Sequence, residues 1–195
     1  MSTASTSPGD YEPRPGADPR LAPLEPEDWD DRQRDALERV LRTPTRNIYT
    51  TVVRAPDIGE AMWAFGRQLR SDGLPARHRE ILILRTGWNC RSNYEFAQHR
   101  RMAYESGMDA ADVERIIAGP RADGWDPFER TLCELADELH DTNFVSDERW
   151  QALATTYTEA QLVQAVLLVG YYHCVSFALN AFRVPLEPGA VGFVD

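Results

Sequence analysis

From residue 26 onward, apolar side chains recur at intervals of three and four, the period of a helix that buries one face. The spacing predicts helices over 26–41, 47–54, 56–70, 75–88, 92–106, 109–118, 126–141, 146–156 and 158–182. Breakers separate them: Thr43-Pro44, Pro56, Gly73 and Gly107. Asp109, Ser146 and Thr158 are N-cap types, although Ser146 to Arg149 lacks a full capping box. The run Ile81-Leu82-Ile83-Leu84 would also suit a buried strand. Its arginine-rich flanks and the lack of strand patterns elsewhere favour helix. The expectation is an all-α fold, a bundle of about seven to eight helices.

Three stretches divide the chain. Residues 1–25 hold five prolines among small and charged residues, and should form a disordered or surface-draped arm. Residues 26–186 read as one helical domain, and 187–195, with Pro188 and two glycines, as an irregular tail. A shift of 84 lays Cys90 on Cys174 and Glu80 on Gln164, a weak internal echo to which no function attaches.

Charge and composition narrow the function. Acids outnumber bases 31 to 21, a net charge of −10, so a nucleic-acid partner and an anionic membrane surface are both disfavoured. All 21 basic residues are arginine. Without lysine there is no Schiff base, no pyridoxal-phosphate anchor and no P-loop lysine. Three scattered cysteines (Cys90, Cys133, Cys174) fit a reducing compartment. The N-terminal residues show no apolar leader, and the strongly apolar stretch 165–172 is too short to span a bilayer, so a cytoplasmic protein is expected.

The chemistry concentrates in residues 77–99, RHREILILRTGWNCRSNYEFAQH. Ser92, Glu95 and His99 share one face of their helix, and Glu80 precedes His99 by 19 residues on the helix before. A tight turn would bring Glu80 to that face and make an acid/base cluster of two carboxylates and an imidazole. The competing reading of Glu95 and His99 is an ordinary surface pair. Arg85 and Arg91 are candidates to grip a substrate carboxylate, against a plain role as solvated helix arginines. Trp88 and Phe96 are core residues first, but flank the cluster and would line a pocket. His173 reads as a core or pocket-lining residue, and His78 and His140 as surface residues. A metal site from Glu80, Glu95, His99 and His173 is not expected, because Glu-x-x-x-His departs from the Glu-x-x-His of di-iron bundles.

The order Glu80, Ser92, Glu95, His99 resembles the signature of the carboxymuconolactone decarboxylase and AhpD-like family. The flanking RHREILILR, NYEFAQH and GYYHCVSFALNAFRVPLE are similar to it too, over roughly residues 45–186. In the peroxidase branch a CxxC pair works with a Glu/His proton relay. Here Glu80 and His99 match the relay, while Ser92 and Glu95 stand at the cysteine positions. Serine forms no sulfenic acid and glutamate resolves none, so a thiol-dependent alkylhydroperoxidase is disfavoured. Cys90, two residues before the first position, is a poor substitute. The resemblance implies an AhpD-like bundle and a cofactor-free lyase or isomerase acting on a small carboxylated or carbonyl-bearing molecule. Catalysis would fall to His99, Glu80 and Glu95, with no metal. It also implies a homo-oligomer (trimer, hexamer or dimer). The alternative is a non-catalytic, oligomeric ligand-binding protein.

Overall fold

Proline and N-cap chemistry sets most helix starts. In the computed structural model, which describes residues 18–40 and 46–193, nine α-helices and no strands are found among the described residues. They are α1 (Asp31–Val40), α2 (Asn47–Val52), α3 (Pro56–Leu69), α4 (Ala76–Asn89), α5 (Asn93–Glu105), α6 (Ala110–Ala118), α7 (Pro127–Thr142), α8 (Asp147–Ala154) and α9 (Glu159–Phe182). Asp109 and Asp112 close a reciprocal capping box on α6, and Thr158 and Gln161 one on α9. The carboxylate of Asp126 accepts from Phe128 N and Glu129 N, with Pro127 at the first helical position of α7. Ser146 caps α8 through Arg149 N.

The first predicted helix is a correction. Pro26–Asp28 is a single 3-10 turn, and Trp29 is extended. Asp30 then accepts from Gln33 N while Gln33 Oε1 accepts from Asp30 N, so a capping box starts α1 there. The break expected at Thr43-Pro44 and the arm before Asp18 lie outside the described residues.

α4 is the central helix, packing on α5, α6, α7 and α9. Its run Ile81-Leu82-Ile83-Leu84 covers every side of one turn and is fully buried, as a segment enclosed by neighbouring helices requires. Ala36, Leu37, Val53 and Trp63 form a smaller second cluster between α1 and α3. α9 is long and apolar enough to cross a bilayer by length and composition, more than the stretch 165–172 suggested. Half of its most apolar window is buried against the rest of the protein. Gly66 lets α9 come close to α3, since a Cβ there would collide with the Tyr171 hydroxyl.

The described residues before α1 and after α9 run over the bundle, with the Pro26–Asp28 turn as their one helical piece. Leu24 N donates to Thr50 O, and Arg20 N to Phe182 O. On the C-terminal side, Glu187 accepts from Asn47 N, Tyr94 Oη and Gln98 Nε2, and Phe193 N donates to Asn93 Oδ1. Irregular backbone is thus fastened by side chains instead of a ladder.

Candidate active site

The turn between α4 and α5 sets the geometry. Cys90 ends α4, Arg91 takes a left-handed conformation at φ 51°, and Ser92 N donates back to Gly87 O at 2.9 Å. Glu80 and His99 lie ten and nine residues from Cys90, so two antiparallel helices hold them at the same height. His99 Nδ1 meets Glu80 Oε2 at 2.7 Å, and His99 Nε2 meets Glu95 Oε1 at 3.0 Å. Exposures are 3% for Glu80, 5% for Glu95 and 4% for His99. The expected cluster of three is therefore assembled and shielded from water; it is not a surface pair.

Burial alone would push the His99 pKa down. The charge of Glu80 and hydrogen bonds from both carboxylates outweigh it and raise the imidazole to about 9. At neutral pH His99 is an imidazolium donating to a carboxylate on either side. A buried cation is tolerable here because both of its N–H groups are paired.

Two residues that the sequence did not single out complete the site. Tyr172, fully buried on α9, packs its ring edge-on to His99, with centroids 4.9 Å apart. Arg70, at the end of α3, donates to the Tyr172 hydroxyl at 3.1 Å. Among the described residues no carboxylate forms an ion pair with Arg70. A half-buried guanidinium with no ion-pair partner among the described residues thus stands one ring away from His99. Its signal in the sequence was slight: an arginine just before a glycine break, and the Tyr171-Tyr172 pair. Tyr171, edge-on to Tyr172, also lines an apolar cavity of about 880 Å³ between α3, the end of α7 and α9.

The remaining candidates fall elsewhere. Ser92 is the N-cap residue of α5 and fully buried; its hydroxyl has no hydrogen-bond partner among the described residues. Arg85 is a correction. It donates twice to Asp137, at 2.6 and 2.9 Å, and to the carbonyls of Ile116 and Ile117. It ties α4 to α6 and α7 and has little left to offer a substrate. Trp88 and Phe96 pack around Phe193 of the C-terminal segment, at 5.0 and 4.7 Å, so they anchor that segment. Arg91 is exposed at the turn. His173 lines the 880 Å³ cavity and does not join the triad; it pairs instead with His140, which is exposed, as expected. His78, expected at the surface, is half-buried, sharing a hydrogen bond with the Tyr157 hydroxyl and packing on Phe128.

All three cysteines are free; burial raises Cys90 to about 11 and Cys133 to about 12, so both are protonated at neutral pH.

Residues 56–138, which contain Glu80, Ser92, Glu95 and His99, match the carboxymuconolactone decarboxylase family. No curated protein matches the chain. Among solved structures, a peroxidase-related protein of the alkylhydroperoxidase AhpD core from Ralstonia eutropha JMP134 superposes with a TM-score of 0.73 at 17% identity, covering 88% of this chain and 95% of its own. A cysteine-to-alanine variant of the debrominase Bmp8, in complex with 2,3,4-tribromopyrrole, superposes at 0.70 and 14%, covering 86% and 91%. A peroxidase-related protein from Silicibacter sp. TM1040 gives 0.73 and 12%, covering 87% and 91%. These likenesses establish the AhpD-like helical fold.

Proposed function

With residues 56–138 matching the carboxymuconolactone decarboxylase family, we propose that this chain is a cofactor-independent acid/base enzyme acting on a small carboxylated molecule, by decarboxylation or related enolate chemistry. One observation carries the reading: an imidazolium is held between two buried carboxylates, one aromatic ring away from an arginine with no ion-pair partner among the described residues.

Each group then has a task. Arg70 binds the substrate's anionic oxygen, with Tyr171 and Tyr172 excluding water. When carbon dioxide leaves, the electron pair of the broken C–C bond passes into the conjugated carbonyl as an enolate. His99 supplies the proton that quenches the enolate, from Nε2 through Glu95 to carbon, and recovers one from solvent after product leaves. Glu80 fixes the ring and favours its charged form. The unpartnered Ser92 hydroxyl is the donor at hand for the enolate oxygen. Val163, Leu167 and Phe177 of α9 are exposed together with Ile58 and Phe65 of α3, and this apolar face supports self-association.

A panel of carboxylated lactones and β-keto acids, assayed for released carbon dioxide, tests the reading. Turnover is expected for at least one, and Arg70→Met is expected to raise its KM by about 10–100-fold, the value of one charge-assisted hydrogen bond. Carbon dioxide release by none of the panel, or an unchanged KM, contradicts the proposal. A second reading, a non-catalytic ligand-binding protein, draws on the fact that the cavity lining includes none of the triad. It predicts binding of apolar ligands without turnover.

A further inference from the structure

Away from the triad, the C-terminal end of α4, the last turn of α7 and the middle of α9 bring three metal-ligand types together. The Cys90 Sγ and one ring nitrogen each of His140 and His173 all lie within 4.8 Å of one another. We propose that Cys90, His140 and His173 form a binding site for a zinc-type divalent cation, with a fourth coordination position left open. The proposal uses none of the acid/base residues and stands independently of the function proposed above.

The hydrogen bonds around the cluster are those of a prepared site. His173 Nδ1 donates to the Val169 carbonyl at 2.9 Å, and since a carbonyl can only accept, this fixes the tautomer. Nε2 of the neutral ring therefore carries its lone pair towards His140 Nδ1, 3.0 Å away. A backbone carbonyl on the distal nitrogen is the common support of a metal-bound histidine. Two nitrogens on one tetrahedral zinc stand about 3.3 Å apart, and a thiolate sulfur and a nitrogen about 3.6 Å. The histidine pair already has nearly that spacing, and Cys90 needs to close by roughly an ångström at most.

Cys90 is held from several directions. Its N donates to Thr86 O, its carbonyl accepts from Asn180 Nδ2 at 2.8 Å, and the Ser176 hydroxyl lies against the thiol. On coordination the thiol gives its proton to solvent, His140 moves its proton to Nε2, and the thiolate offsets half of the ion's charge. Soft sulfur with two imidazoles selects zinc-like ions over magnesium or calcium. His173 also lines the apolar cavity between α3, α7 and α9.

The test uses the full chain stripped with chelator, titrated with Zn²⁺ by calorimetry and with Co²⁺ by absorption. One ion per chain is expected, with a thiolate-to-cobalt charge-transfer band. Cys90→Ser should abolish the band. His140→Ala and His173→Ala should each weaken Zn²⁺ binding by more than the roughly 10–100-fold typical of outer-shell changes. His99→Gln should bind as the wild type does. Absence of stoichiometric binding overturns the site, as does binding that survives the three substitutions or is lost in His99→Gln. Circular dichroism confirms that each variant keeps its helices, and if one of the three unfolds, the other two decide.

Discussion

Replacing His99 by glutamine lowers kcat by about 10²–10⁴, the usual contribution of a positioned general acid, while KM changes little. Glutamine approximates the volume of the ring and can still hydrogen-bond to Glu80 or Glu95, so the fold survives. It cannot deliver a proton at neutral pH. The pattern expected in steady-state kinetics is thus a fall in kcat with KM intact, opposite to the Arg70→Met pattern. An equal loss in KM would mean that His99 only binds substrate.

Glu80→Gln destabilises the protein by about 3 kcal/mol at pH 6.5, at the lower edge of the cost of removing one partner from a buried ion pair. The cost arises because His99 must either keep its charge beside Glu95 alone or give it up. The dependence on pH is diagnostic. In the wild type the His99 pKa is raised from 6.5 to about 9 by Glu80 and Glu95 against the effect of burial. The stability this adds is fully present below pH 6.5 and is lost as pH rises through 9; the span corresponds to something on the order of 3 kcal/mol. Urea unfolding should show the wild type losing stability between pH 7 and 10, and the gap to Glu80→Gln narrowing over the same range. A gap that stays constant with pH would assign Glu80 a role unrelated to the charge of His99.

The triad was legible in the sequence because its parts are local. Glu95 and His99 are one turn apart, and Glu80 lies across a single turn whose length sets the register. Helix-to-helix pairings at long range were not legible. Arg85 looked like a free cation because its partner Asp137 is 52 residues away on another helix. Arg70 and Tyr172 are separated by 102 residues, so no periodicity announces that α3 and α9 place them over His99. Trp88 and Phe96 gave the apolar signal of a pocket wall, which is the same signal as packing against Phe193. The same holds for His140 and His173: each looked ordinary alone, and their pairing depends on how α7 meets α9.

The protonation state of His99 is where fold and chemistry meet, and a ¹⁵N NMR titration of its imidazole reads it directly. Both ring nitrogens should carry protons throughout the neutral range, with the midpoint near 9. A midpoint at or below the ordinary histidine value of about 6.5 would contradict the account, because the two carboxylates would then not be holding an acid in place.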